Sequence, residues 1–358
     1  MTSIWDPIRI GNMALEHRFA MAPMTRSRAG ADGTPSPLAA EYYAQRASLG
    51  LLITEGAQPS DDGQGYLNTP GIYTDAHVAG WRRLAQAVHT GGGHLIIQLM
   101  HVGRMSHPDN TPHHRQPVAP SAIAPGVKMF TARGMLDIPE PRALSVGEIE
   151  ATVHDFAHAA RQAIAAGADG VEIHAANGYL IQQFFAPNAN VRGDRYGGPT
   201  QNRTRFAFEV ARAVSDAIGP ERTGIRISPG STLGGIDEGP EARALYRRLV
   251  PALAELGLAY LHVAHGGDEE LLGEIRRLWP NALLVARANR PLELAAADVE
   301  AGLADVAPVG RWALANPDFV ERYRTGAPLN EPDPTTFYGG GANGYTDYPA
   351  LRRAAVAA

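Results

Sequence analysis

Short apolar runs recur along the chain, and stretches of helical periodicity lie between them. The runs are Phe19–Pro23, Leu51–Thr54, His94–Leu99, Gly170–His174, Thr223–Ile227, Ala259–Val263, Leu283–Ala286 and Val306–Val309. Their length and β-branched content predict buried strands. Eight strands alternating with helices predict a parallel sheet closed into an α/β barrel of the (β/α)8 type. The helices show in the same pattern. Thr74 or Asp75 caps one that runs through Trp81, Leu84 and Val88 and stops at Gly91-Gly92-Gly93. Ser145 and Glu148 form a capping box. Behind it Ile149, Val153, Phe156, Ala160 and Ile164 make an apolar stripe, ended by Gly167. Further stripes are Phe206, Val210 and Val214, then Leu245, Leu249, Leu253 and Leu256. Leu271–Trp279, Leu292–Ala301 and Asp318–Arg324 predict the remaining helices.

Two stretches break this rhythm. Residues 101–140 are rich in Pro and His, and follow the third strand. A long irregular insertion there predicts a lid or β-hairpin over the barrel mouth within one domain, 1–358. Residues 331–349 form an irregular, aromatic C-terminal segment.

Composition narrows the classes. Of 358 residues 44% are hydrophobic, enough for a large core, and the net charge is −5 with no basic block, which speaks against nucleic acid or an anionic membrane as partner. No apolar run reaches the length of a membrane span. The first residues have neither a basic region nor an apolar one, so a cytoplasmic protein is expected. The chain has no cysteine. That removes disulfides, thiolate metal sites, iron–sulfur clusters and cysteine nucleophiles.

In α/β barrels the reacting groups sit at the C-terminal ends of strands. Here those ends carry polar residues: Ala22-Pro23-Met24-Thr25-Arg26, Glu55-Gly56-Ala57-Gln58, Gln98 before Met100-His101, then His174, Asn177 and Tyr179, then Arg226, and finally Gly310-Arg311. His174 and Asn177 can both donate hydrogen bonds to one oxygen, with the Tyr179 hydroxyl as an acid nearby. A carbonyl needs that set when its β-carbon accepts hydride. A lone strand-end histidine is more often structural, so the weight rests on the group. Arg226 lies between Ile225 and Ile227 and must face inward. It forms either a buried ion pair, for example with Glu172, or a fixed cation beside a cofactor that becomes anionic on reduction. Gly310-Arg311 suits a phosphate monoester or a plain turn. Gly339, Gly341 and Gly344 fit G-x-G-x-x-G, but follow no strand and open no helix. His154 and His158, one turn apart, read as a solvated face, and His113-His114 lacks ligand spacing, so no metal is expected.

Several motifs together resemble the Old Yellow Enzyme family of FMN-dependent ene-reductases. They are Gly63-Gln64-Gly65-Tyr66 with Thr69–Tyr73, Gly170–Leu180, Arg195-Tyr196-Gly197-Gly198 with Asn202-Arg203, and Asn330–Gly341. The likeness runs from Pro7 to Pro349 and is greatest to bacterial reductases of pentaerythritol tetranitrate, morphinone and N-ethylmaleimide. It implies roles. Pro23, Met24, Thr25, Ala57 and Gln98 would hold the flavin ring, Arg226 its N1–C2 edge, and Ala288, Asn289, Gly310 and Arg311 its phosphate. His174 and Asn177 would bind the substrate carbonyl, and Tyr179 would protonate the α-carbon. Tyr66, Met100 and Tyr338 would line the substrate space. NADH or NADPH would reduce tightly bound FMN and leave, and an enone or nitro-type compound would follow into the same pocket of a monomer or homodimer.

The sequence departs from the family in places. Ala286-Arg287-Ala288-Asn289-Arg290 stands where the family has a Gly-Gly pair at the phosphate. Ala288 resists positive φ and Asn289 tolerates it, with Arg287 or Arg290 available to help. Met100 replaces a tryptophan of close relatives. Two rival readings follow: a flavin-dependent isomerase of a specialised metabolite without net reduction, and a ligand-binding barrel that does not retain FMN.

Overall fold

The strands stand where the apolar runs predict them. The computed structural model describes residues 2–288 and 290–351. In it β1 is Phe19–Met21, β2 Leu51–Ala57, β3 His94–Leu99, β4 Gly170–Ala175, β5 Thr223–Ile227, β6 Tyr260–Ala264, β7 Ala282–Ala286 and β8 Ala307–Val309. Their order is β7-β6-β5-β4-β3-β2-β1-β8, and all neighbours are parallel. The Leu284–Val306 bridge and a 2.7 Å bond from Asp305 N–H to Leu283 O bring the two edges together. β2 continues past Thr54 because its register to β3 shifts between Ile53 and Gly56, a bulge that re-aims the strand's end.

Helices surround this ring: α1 Pro37–Ala44, α2 Asp75–Thr90, α3 Val146–Ala165, α4 Arg205–Ile218, α5 Ala242–Ala254, α6 Glu269–Leu278, α7 Ala297–Glu300 and α8 Phe319–Thr325. Both anticipated caps are present. Thr74 accepts from His77 N–H at 3.2 Å, and the Ser145/Glu148 box is reciprocal. Instead of one helix over Leu292–Ala301, a tight turn at Leu292–Leu294 precedes the short α7. Pro291 opens the turn, and Asp298 is drawn into ion pairs with Arg287 and Arg290.

The period-two alternation sorts the strand side chains. Outward residues such as Ile173 and Ile225 pack with Trp81, Phe156 and Phe206 of the helices. Inward residues at the N-terminal end, among them Ile53, Ile96 and Leu284, pack on Ile10, Met13 and Leu15. Those three come from an antiparallel hairpin, Ile8–Ile10 with Met13–Leu15, that plugs the bottom of the barrel. The open end, toward the strand C-termini, is left for polar groups.

Between β3 and α3 lies a second hairpin, Lys128–Thr131 with Gly134–Asp137, that turns Met129 inward and Phe130 outward. The C-terminal segment is held by three buried arginines from the first quarter of the chain. Arg26 donates to the carbonyls of Phe337 and Gly344, Arg28 to Gly341 and Asn343, and Arg46 to Leu314 and Tyr345. Arg46 also lies 3.9 Å from the Tyr42 ring centroid, and Tyr42 stacks on Tyr345.

Buried histidines give stability a sign with pH. His101, 2% exposed, is lowered from 6.5 to about 4 by burial, although Asp62 and Asp61 oppose this. Burial also lowers His77 and His262, whereas its hydrogen bond to Asp169 raises His94. A lowered histidine is neutral when folded, so the unfolded chain binds more protons between pH 6.5 and 4, and stability falls as pH falls through that window. At pH 5 His101 alone accounts for about 2 kcal/mol. Asp169 is held at about 2, since bonds from His94 and His89 outweigh its burial, so its protonation comes later. His94 gains stability as it protonates, so it offsets part of this loss, and the unfolding midpoint should still drop between pH 7 and pH 5 in a thermal scan. A level midpoint would mean that these histidines are protonated in the folded state.

Candidate active site

Most of the predicted residues converge at the open end of the barrel. Near its end β4 carries His174, which is 3% exposed. The following loop turns at Asn177 with φ +56°, a left-handed conformation that Asn tolerates. Three polar side chains hold this turn. Asn177 N–H donates to Ser228 Oγ at 2.8 Å, Gly178 N–H donates to Gln182 Oε1 at 2.7 Å, and Gln183 Nε2 donates to Gly178 O at 2.8 Å. Gln182 is itself fixed by Glu238 at 2.8 Å. Sequence reasoning missed Gln182, Gln183, Ser228 and Glu238. The signal was two glutamines inside the apolar run Leu180–Phe185.

The Tyr179 ring stands at 90° to His174 with centroids 5.1 Å apart, and its hydroxyl donates to that of Tyr66 at 3.1 Å. Burial, together with Tyr66, pushes the Tyr179 phenol well above its ordinary value, so it keeps its proton. Burial, with Arg226 and His262 nearby, pushes His174 well below its ordinary value, so it is neutral. Tyr66, Tyr179 and Met100 belong to one apolar cluster with Met129 and Ile138. Met100 needs Gly56 opposite, where a Cβ would come 2.5 Å from its Cε. Tyr338 is 68% exposed, near enough for its phenol to bear on Tyr66 and Tyr179.

Beside this group opens a cavity of about 510 Å³. Pro23, Met24, Asn177, Arg226, Ala288, Gly310 and Arg311 all line it, and Trp312 and His265 join them. Thr25, half-buried, directly follows the lining residue Met24. Glu55 of β2 accepts from the next two backbone N–H groups, Arg26 at 2.9 Å and Ser27 at 3.1 Å, and so fixes this loop. Ala57 and Gln98 are buried at the ends of β2 and β3 and do not line the cavity wall. Asn289 lies outside the described residues.

The charges here answer two questions left open by the sequence. Glu172 does not pair with Arg226. Its carboxylate is taken by His262 Nδ1 at 2.9 Å and Gln98 Nε2 at 2.7 Å. Arg226 makes no ion pair among the described residues, and its buried Nε has no hydrogen-bond partner. His174 Nδ1 is likewise buried and unpartnered. Arg287 and Arg290 also line the cavity, and both are already engaged in ion pairs. Arg287 is held by Glu269 and Asp298, and Arg290 by Asp298 at 2.8 Å. Arg311, exposed at the cavity, makes no ion pair among the described residues.

A buried cation and a buried imidazole nitrogen without partners are costly unless a ligand completes them. Their donors, the apolar strand ends and Arg311 at the rim fit a flat cofactor with an acceptor edge and a phosphate tail. These features define a flavin-type oxidoreductase site on an α/β barrel. The model of the NADH:flavin oxidoreductase / NADH oxidase family matches residues 3–330, and the chain belongs to that family. A probable flavin mononucleotide-dependent alkene reductase of Leishmania infantum is 43% identical, with 96% of each chain covered. Morphinone reductase in complex with tetrahydroNAD superposes with a TM-score of 0.94 at 44% identity over 98% of both chains. The old yellow enzyme homologue of Zymomonas mobilis gives 0.93 at 39% identity, covering 98% of this chain and 100% of its own. The resemblance drawn from the motifs thus stands.

Proposed function

We propose that the protein is an FMN-dependent NAD(P)H oxidoreductase that reduces C=C bonds conjugated to a carbonyl. The observation that carries this reading is the Arg226 cation, without an ion pair among the described residues, beside the orthogonal His174–Tyr179 pair at the end of β4. Family membership supplies the cofactor. When bound, the flavin would supply the hydride chemistry between NAD(P)H and the β-carbon of the substrate. The chain does the rest. His174, kept neutral, and Asn177 hold the carbonyl oxygen by hydrogen bonds that strengthen as charge builds there. Tyr179 keeps its proton until the α-carbon requires it, and Tyr66 orients the Tyr179 hydroxyl. Arg226 would supply the fixed positive charge beside the flavin, while Gly310 and Arg311 would hold its phosphate. Met100, Tyr66 and Tyr338 bound the substrate space.

We read residues 1–358 as one domain, with the Lys128–Asp137 hairpin as a lid. Its Met129 covers the cluster around Tyr66 and Tyr179 and keeps water from the reacting carbon. The partner is a small molecule, an enone or nitro compound, met by a monomer or homodimer in the cytoplasm. No helix among the described residues is long and apolar enough to cross a membrane.

A visible absorption spectrum after FMN addition and desalting tests the cofactor site. Retained flavin bands, bleached by NAD(P)H under anaerobic conditions and restored by 2-cyclohexenone, are the expected result. Folded protein that retains no flavin would mean that the altered loop after β7 has abolished the site and that the chain is a ligand-binding barrel.

A further inference from the structure

Beneath the cavity lies a buried polar group that the reaction as described does not use. Register places it. Gln98, Glu172, Gly224 and Tyr260 face each other across β3, β4, β5 and β6, and His174, Arg226 and His262 form the next row toward the mouth. Glu172 and His262 are both 0% exposed, and Gln98 is 2%. Gly224 is required in the lower row. A Cβ there would lie 2.2 Å from Cζ of Tyr260, whose ring fills that space beside Glu172.

The hydrogen bonds in this group have only one sense. Burial alone would raise the Glu172 carboxyl, but its contact with His262, the nearby Arg226 cation and the bond from Gln98 hold it below its ordinary value. An ionised carboxylate only accepts. His262 must therefore donate from Nδ1, and Gln98 must turn its NH₂ toward Glu172. The Gln98 oxygen is then left as an acceptor, and no donor among the described residues reaches it. Glu172 also carries the negative charge that faces the otherwise unpaired Arg226 from below.

We propose that Glu172, held by His262 and Gln98, is a positioning residue for the cofactor: it balances Arg226 from below, and so sets the reduction potential of the bound flavin. The inference rests on FMN occupying the cavity. A negative charge beneath Arg226 opposes accumulation of charge on the flavin, so its removal favours the reduced form. The magnitude follows from the environment, since a carboxylate in a low-dielectric interior acts strongly on its neighbours.

The test compares FMN-loaded wild type with Glu172→Gln, which keeps shape and removes charge. The potential of the bound flavin is read by equilibration with a reference dye, and circular dichroism checks the fold. The expected shift favours the reduced form at least tenfold, about 30 mV upward for a two-electron couple. An unchanged or lowered potential in folded Glu172→Gln overturns the proposal.

Should Glu172→Gln not fold, two variants of His262 decide. His262→Gln can still donate to Glu172 and should keep the wild-type Kd for FMN. His262→Leu cannot, and should weaken FMN binding about tenfold. Equal effects of the two, or none, overturn the proposal. Wild type that binds no FMN would instead bring down the oxidoreductase reading itself, so the two failures are distinct.

Discussion

Tyr179→Phe is expected to slow reoxidation of the reduced protein by 2-cyclohexenone by roughly 10²–10⁴-fold, the range for loss of a positioned general acid. Reduction by NAD(P)H stays near the wild-type rate. The asymmetry follows from geometry. Phenylalanine keeps the ring edge against His174 and loses only the hydroxyl bonded to Tyr66. In the proposed mechanism the carbonyl oxygen still meets His174 and Asn177, so substrate affinity should change little, and the loss should fall on the protonation step. Burial keeps the Tyr179 proton on and the His174 proton off across the neutral range. The wild-type rate of this half-reaction should therefore vary little from pH 6 to 9. Stopped-flow traces of the two half-reactions check both statements. Equal slowing of the two would mean that Tyr179 shapes the pocket instead of donating a proton.

The second large effect is at Arg226. Arg226→Met weakens FMN binding roughly ten- to hundredfold, the equivalent of one charge-assisted hydrogen-bond set of about 1.5–3 kcal/mol. The FMN-free protein, however, should unfold at the same or a higher temperature. Among the described residues the buried guanidinium makes no ion pair and its Nε no hydrogen bond, so its desolvation outweighs the attraction of the Glu172 charge, and a flexible apolar chain of similar length relieves it. Arg226→Lys keeps the charge but not the planar fork, and should fall between the two. Titration of FMN fluorescence and thermal unfolding without FMN measure the two arms. A large fall in the unfolding temperature with unchanged FMN affinity would mark Arg226 as structural.

Much of this was legible along the chain because it depends on local periodicity. Each barrel strand is an apolar run, and the helices between them carry their stripes and caps in plain order. A charge at Arg226 inside such a run has only the interior to face, so its importance shows without coordinates. The cluster of polar residues at strand ends is legible for the same reason, since the barrel places those ends at one mouth. The motif resemblance then assigns roles that spacing alone leaves open.

Other features depend on register and on distant meetings. Whether Glu172 served Arg226 or another partner could not be read from the strands. The answer comes from the stagger of β3 to β6, which sets His262 and Gln98 against it from 90 and 74 positions away. Nothing along the chain says what Arg26, Arg28 and Arg46 bind. Folding buries them on carbonyls around 300 residues later in the chain, a relation with no local signature. Arg287 and Arg290 suggested help for a phosphate, and only the return of Asp298 shows them already occupied. By itself the sequence determined the barrel, its polar mouth and the kind of chemistry there, because residue type and period act locally. Tertiary structure decided which buried charges are paired and which wait for a ligand, because that depends on distances between strands that no period encodes.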